Sequence, residues 1–271
     1  MPVYNAGTYL RAAVLSVIRQ SFTSWELIII DDASNDGSIA SIGDINDQRI
    51  RIIVGKKNRG LAARLNQVVG LARGNYFARM DQDDICHPER LKKQLSYLIK
   101  NSQVDLVGCA CLTIDRKNLI TGKLCWPTKH SQICQKPWLG FPLAHPSWMG
   151  KTLWFRQNPY QVPAPYLCED QELLLRLHRS SNFANLPNAY LAYRLRDRTN
   201  LGQLIKTRFA WWKVQTSFFI RKGEIGNLIL GLLILSGKAL FDFLMVKGIV
   251  GRHPPIWGSY QKIAKVRSLY W

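Results

Sequence analysis

The chain has 271 residues, 47% hydrophobic and 20% charged, a balance that excludes a disordered polypeptide and supplies a core for one catalytic-sized domain with an appendage. Its formal net charge of +19 favours anionic partners such as nucleotide sugars, acidic lipid headgroups or nucleic acid. Nucleic acid is set aside because no zinc-finger spacing, RNA-binding aromatic signature or helix-turn-helix pattern accompanies the charge, and the six cysteines, without a C-x-x-C unit, indicate neither a zinc site nor a disulfide framework.

The opening Met1-Pro2-Val3-Tyr4-Asn5 lacks the basic stretch and apolar core of a signal peptide. With cysteines that read as reduced, this places the catalytic part in the cytoplasm. Between Thr8 and Gln20, Leu10, Ala13, Val14, Val17 and Ile18 recur at helical spacing and predict an amphipathic helix, with Asn5 or Thr8 available to cap it. Glu26 to Ile30 is short, continuous and β-branched, the pattern of a strand buried on both faces of a parallel sheet, and it stops at Asp31-Asp32.

A strand is expected over Ile50 to Val54, then a helix on Leu61, Leu65, Val68 and Ala72, then a strand over Tyr76 to Met80. Pro88 suits the first turn of a helix with Leu91, Leu95, Leu98 and Ile99 on one face, and Val104 to Cys111 reads as the next strand. The alternation predicts an α/β fold, a Rossmann-like, mostly parallel sheet flanked by helices, with a nucleotide half over 1–112. Ligands of such sheets bind beyond the carboxyl ends of the strands, where Asp31-Asp32 and the segment Asp81 to Asp84 both fall.

Residues 115–165 are rich in Pro, Trp, Lys and Gln with weak periodicity, which predicts an irregular stretch shaping an acceptor pocket within a half over 113–200. A helix resumes near Glu169 with Leu173, Leu174 and Leu177. Over 201–271 the composition shifts to Trp211-Trp212, Phe218-Phe219, scattered Lys and Arg, and the apolar run Leu228 to Leu235, a helical tail. A membrane-spanning helix needs about 20 apolar residues, and Lys238, Asp242 and Lys247 interrupt this one. A helix lying on an anionic membrane surface is therefore expected, with packing on the catalytic domain or a dimer contact as the other uses of the same pattern.

Asp81 and Asp83 carry the chemistry at the centre. In an extended segment residues i and i+2 project to one side, so the two carboxylates can converge on a hard cation. Mg²⁺ or Mn²⁺ is held by one or two carboxylates plus substrate phosphates, and would neutralise a departing nucleoside diphosphate. Asp84 adds a third carboxylate whose repulsion a cation offsets; a polar strand end capping the next helix is the plainer alternative. Asp32 can accept hydrogen bonds from a nucleobase or ribose, or serve an Asx-type turn with Asp31. Glu169-Asp170 opens a helix, so a cap is one reading; the other is the general base that inverting transfer to a hydroxyl requires. A helix N-terminus favours the ionised form of such a carboxylate. His87 and His145 stand alone and read as structural.

These stretches resemble glycosyltransferase family 2. The resemblance rests on Pro2-Val3-Tyr4-Asn5, Gln20-Ser21-Phe22, Glu26 to Asp32 with Ser34, Asn58 to Ala62, Leu65-Asn66, Tyr76 to Asp84 with Pro88 to Leu91, His145-Pro146-Ser147, and Glu169-Asp170 with Arg176-Leu177. It covers roughly residues 1–200 and implies a GT-A fold. By the same resemblance Pro2, Tyr4 and Asn5 border the base and ribose, Asp32 bonds the base, Asn58 lines the nucleotide pocket, Asp81 and Asp83 form the metal motif, and Asp170 is the catalytic base. Arg64 corresponds to a phosphate contact, although many relatives carry that arginine one position later, where Leu65 stands. The activity implied is inverting transfer from a nucleotide-diphosphate sugar, a UDP-sugar first, to a glycan or lipid-linked acceptor in cell-surface polysaccharide synthesis. The enzyme would be peripheral on the inner face of the cell membrane. The Q-x-x-R-W motif of processive members is absent, which points to single additions. Relatives have a strand before the Pro-x-Tyr-Asn segment, and Met1 falls at its last position. Its lack would expose a sheet edge and leave the nucleotide loop poorly anchored, so the second expectation is an impaired nucleotide-sugar-binding or scaffold protein.

Overall fold

A computed structural model of the chain describes residues 1–195, 201–246 and 259–266. Consecutive apolar residues bury both faces of β2 (Leu27–Asp31), which pairs in parallel with β1 (Pro2–Val3) on one side and β3 (Ile50–Val54) on the other. Helix α1 (Tyr9–Ile18) covers one face, packing Leu10, Val14 and Val17 with Ile29. Helix α2 (Leu61–Leu71) covers the opposite face with Leu65, Val68 and Val69 against Ile28 and Ile30. Alternation along β2 thus assigns each isoleucine to one helix.

The chain then runs through β4 (Tyr76–Ala78), β5 (Ile85–Cys86), α3 (Arg90–Lys100), β6 (Leu106–Ile114), β7 (Ile120–Cys125), α4 (His130–Ile133), β8 (Met149–Lys151), α5 (Thr152–Gln157), α6 (Glu169–Leu177) and β9 (Phe183–Arg194). After these come α7 (Leu201–Lys222), α8 (Ile225–Val246) and β10 (Ser259–Val266). The second sheet has the order β10-β7-β6-β8-β4, with β9 pairing both β6 and β5. Only β6 with β9 is parallel there; the hairpin β6-β7 and the pairs β4-β8, β6-β8 and β5-β9 are antiparallel. The parallel character expected of the whole sheet is therefore confined to β1-β2-β3 and β6-β9, because a short turn such as 115–119 can only return the chain antiparallel.

Four local expectations differ from the structure. Residues 115–165 are not irregular throughout: they hold β7, α4, β8 and α5, elements of three to six residues that are too short to display a period. The tail is helical over α7 and α8, but β10 joins the edge of β7. Lys247 lies outside the described residues. In α3 the buried face is Arg90, Gln94 and Leu98, while Ile99 is 62% exposed. Arg90 donates to the Arg79 carbonyl at 2.7 Å, and Gln94 donates to the carbonyls of Val107 and Ser147 at 3.1 and 2.7 Å. A polar helix face can be core when its donors find acceptors, here carbonyls and the Cys86 sulfur. Neither proposed cap serves α1: Thr8 makes no capping bond, and the Asn5 side chain accepts from the Asn35 amide.

The loop after β1 is tied down by side chains. Asn5 N–H donates to Ser34 Oγ at 3.0 Å, Gly7 N–H to Asp36 at 2.7 Å, and Tyr4 exchanges two main-chain bonds with the Gln82 amide at 2.7 and 3.0 Å. The expected loose loop is instead a bonded one. The Met1 amino group, buried, donates to the Ile28 carbonyl at 2.7 Å, and burial lowers its pKa to about 5. Between β2 and β4 the two sheets part around a cavity of about 790 Å³ lined by Val17, Leu27, Ile28, Phe77, Met80 and Leu95.

Gly150 lies in β8 between β4 and β6, where an added Cβ would meet the Asp105 carbonyl at 2.5 Å and the Phe155 ring at 3.2 Å. Gly150→Ala is expected to destabilise the protein by about 1–3 kcal/mol through overpacking. Urea unfolding would show a lower midpoint with an unchanged slope; an unchanged midpoint contradicts the packing described.

Candidate active site

The carboxyl ends of β1, β2 and β4, the start of α6 and the end of β9 converge on a cleft of about 700 Å³. One wall is Pro2, Tyr4, Asp32 and Asn58; the floor is Arg79, Asp81, Gln82 and Asp83; the far wall is His145, Glu169, Asp170, Tyr193 and Arg194. Asn5, Arg64 and Asp84 do not line it.

On the first wall, Asp31 accepts from the Ser34 amide and hydroxyl at 3.0 and 2.5 Å, an Asx-type turn that ends β2. Asp32 accepts three donors: the Arg59 and Gly60 amides, both at 2.8 Å, and Arg64 Nε at 2.6 Å. Its carboxylate fixes the loop carrying Asn58 to the end of β2. Gly60 has φ +82°, a conformation that L side chains rarely adopt, so a side chain there would strain the loop backbone although it would meet no neighbour. Arg64 stands buried behind Asp32 and also donates to the Lys57 carbonyl at 2.8 Å. It supports the loop from beneath rather than facing the cleft.

On the floor, Arg79 and Asp81 project to the same side, two residues apart, and meet as a bidentate pair at 2.6 and 2.9 Å. Burial works against the charge of Arg79, but Asp81, Tyr160, Asp84 and Glu169 outweigh it. Asp84 turns inward. Its Oδ1 accepts the Arg194 amide at 2.9 Å, its Oδ2 has no hydrogen-bond partner, and burial, then Asp81 and Asp83, raise its pKa well above the usual range.

The residues present fit a divalent ion held jointly with substrate. Asp81 and Asp83 reach the cleft, and among the described residues no group of three or more His, Cys, Asp or Glu side chains is placed to hold a metal without other ligands. Two carboxylates completed by diphosphate oxygens and water are the usual donor set of Mg²⁺ or Mn²⁺. Each Asp81 oxygen has two acceptor positions, so pairing with Arg79 leaves capacity for a cation.

On the far wall, Glu169, Asp170 and Glu172 occupy the first turn of α6, where the helix dipole favours negative charge. Burial wins over that dipole. It raises Glu169 to about 7, with Asp170 adding to the effect, and it raises Asp170 as well, against hydrogen bonds from Gln171. His145 meets the Tyr160 hydroxyl at 2.8 Å and lies 4.0 Å from Glu169. Burial, then Arg79, lowers its pKa well below the usual value, so the imidazole is neutral and forms no ion pair with Glu169.

Sequence reasoning left out Arg79, Gln82, Tyr160, Tyr193 and Arg194 and gave His145 no role. Arg79 was within reach, since the same two-residue spacing that pairs Asp81 with Asp83 pairs it with Asp81. Tyr193 and Arg194 belong to β9, which no local pattern announced.

Glu169 titrates near 4.5 in an unfolded chain and near 7 here. Its stabilising contribution is present in full below the lower value and is lost as pH rises through the upper one. Glu169→Gln is therefore expected to match the wild type in stability near pH 4 and to exceed it at pH 8 by up to about 3 kcal/mol. Urea melts at both pH values test this; equal stabilities at pH 8 would sink it.

A family model described as glycosyl transferase family 2 matches residues 1–151. An uncharacterized glycosyltransferase of Haemophilus influenzae is 32% identical over 205 residues, 71% of this chain and 63% of that protein, so the chain spans about three fifths of that relative's length. The UDP-Glc:alpha-D-GlcNAc-diphosphoundecaprenol beta-1,3-glucosyltransferase WfgD of Escherichia coli is 27% identical over 80% of this chain and 84% of its own length. Among solved structures, the mannosyltransferase PcManGT from Pyrobaculum calidifontis in complex with GDP-Man and Mn²⁺ superposes with a TM-score of 0.63 at 14% identity, covering 94% of this chain and 75% of that one. The shared fold is GT-A.

Proposed function

Because the chain belongs to glycosyltransferase family 2, we propose that it transfers a sugar from a UDP-sugar, with inversion, to a hydroxyl of a glycan or lipid-linked acceptor in cell-surface polysaccharide synthesis. The observation that carries this reading is the pairing of two carboxylate sets on one cleft: Asp81 and Asp83 on the floor, Glu169 and Asp170 on the far wall. The activity in the name of the E. coli relative, from UDP-Glc to a diphosphoundecaprenol-linked sugar, supports the donor and acceptor classes.

In this reading Pro2, Tyr4 and Asn58 border the base and ribose. Asp32 holds the Asn58 loop closed on the nucleotide, with Arg64 and Asn5 acting from behind the wall. Asp81 and Asp83 would hold Mg²⁺ or Mn²⁺, which when bound offsets the charge of the leaving diphosphate. The Mn²⁺ of the mannosyltransferase complex is in keeping with that donor set. Asp170 accepts the proton of the acceptor hydroxyl as it attacks from the face opposite the leaving group. Burial and the neighbouring Asp170 carboxylate raise Glu169 to about 7, so it gives up its proton less readily than an ordinary glutamate. The third partner is an anionic membrane surface on the cytoplasmic side. No helix among the described residues is long and apolar enough to cross a membrane, and exposed Ile225, Ile229, Leu232 and Leu233 on α8 give a surface for lying on one.

Calorimetry with a nucleotide panel tests the donor site: UDP is expected to bind with Mn²⁺ and to lose affinity on chelation. No nucleotide binding in either condition would reject the reading. Asp170→Asn is expected to lower kcat by about 10²–10⁴-fold while leaving UDP affinity within a factor of about two, since the base contacts acceptor rather than donor. A parallel loss of UDP affinity would remove Asp170 from that role.

A further inference from the structure

The second turn of α6 and the facing side of α7 enclose a groove of about 620 Å³, walled on a third side by residues 161–166. From α7 it is lined by Lys206, Phe209, Lys213, Val214, Phe218 and Arg221, which fall in two runs with steps of three or four residues, Lys206-Phe209-Lys213 and Val214-Phe218-Arg221, along one side of the helix. Lys206, Lys213 and Arg221 are exposed, and Lys213 Nζ stands 4.9 Å from the Phe209 ring centre. The one acidic residue in the groove, Glu172, is already paired with Arg176 at 3.0 Å. Three cations on one face, interleaved with aromatic rings and without an acidic counterpart in the groove, call for a polyanion attached to an apolar body.

Position narrows the ligand further. Asp170 and Arg176 lie six residues apart on α6, about 9 Å along the axis, so an occupant of the groove stands within a short glycan's reach of the cleft. Helix α7 is fixed to the domain by Gln215 donating to the Trp138 carbonyl at 2.7 Å, by buried Phe219, and by the ion pair of Arg179 with Glu224 at 2.6 Å beyond its end. It continues into α8, whose exposed Ile225, Ile229, Leu232, Leu233 and Leu240 carry no charge. Residues 201–271 contain eleven Lys and Arg against two Asp and Glu. With α8 resting on a bilayer, the groove opens at headgroup depth.

We propose that this groove seats the diphosphate of a polyprenyl-linked acceptor. Lys206, Lys213 and Arg221 take the phosphates, Phe209 and Phe218 take the first isoprene units, and the glycan runs back along α6 toward Asp170. The inference deepens the acceptor half of the function proposed above.

The test is calorimetric titration of the full chain with farnesyl diphosphate, alongside UDP with Mn²⁺. The triple variant K206Q/K213Q/R221Q is expected to bind farnesyl diphosphate at least tenfold more weakly than wild type. The control K93Q/K100Q/K117Q removes equal charge from α3 and the β6-β7 turn and is expected to bind as wild type does. UDP binding should be unchanged in both variants, and it reports on the donor site separately. Equal weakening in both variants would reduce the effect to overall charge and overturn the assignment. Loss of UDP binding in the groove variant would show a structural role and overturn it too. So would unchanged farnesyl diphosphate affinity with lost binding to phosphatidylglycerol vesicles, which would give the cations to bilayer headgroups.

Discussion

Arg79, 3% exposed, places both terminal nitrogens of its guanidinium on Asp81 while its own carbonyl accepts from Arg90 and its amide donates to the Trp148 carbonyl at 2.8 Å. Asp81, Asp84, Glu169 and Asp170 all feel this buried cation, which offsets part of the repulsion among them. Burial, and then the same charge, lowers the pKa of His145 and keeps that ring neutral. Because Arg90 belongs to α3 and Trp148 precedes β8, the main chain of Arg79 is held by two separate elements.

A second buried pair organises the nucleotide wall. Asp32 and Arg64 meet at 2.6 Å with both side chains almost fully buried, an arrangement that is worthwhile only when the remaining acceptor positions are filled. The amides of Arg59 and Gly60 fill them. The result is a loop held by charge and main-chain bonds, in which Asn58 is presented to the cleft without needing packing of its own.

Both walls therefore follow one logic: charged groups are buried where their partners are main-chain amides, carbonyls or an opposite charge. Two atoms depart from it: Arg79 Nε and Asp84 Oδ2 have no hydrogen-bond partner, and for Asp84 burial, then Asp81 and Asp83, shift the carboxyl toward the protonated form. The outer surface of α7 follows the opposite logic, with cations displayed and the one acid of the groove, Glu172, already paired with Arg176. Charge buried and satisfied marks the catalytic interior, whereas charge exposed and unmatched marks a surface for an anionic partner.

The sequence by itself determined the nucleotide half. Strands β2 and β3 and helices α1, α2 and α3 stand where the patterns place them, because a β-branched run or a helical stripe is a local property of five to eleven consecutive residues. It also located both acidic segments, since strand ends and helix starts are local events. Tertiary structure alone decided which carboxylates face the cleft. Asp84 is drawn inward by the main chain of Arg194, distant in sequence, and Arg64 is drawn beneath Asp32 by a pairing no spacing rule encodes. It alone decided β7, β8, β9 and β10, whose partners come from remote stretches and whose sequences are too short or too mixed for a period. The shift of Glu169 to about 7 belongs there as well, because its cause is enclosure by residues from other elements, which a linear sequence does not express.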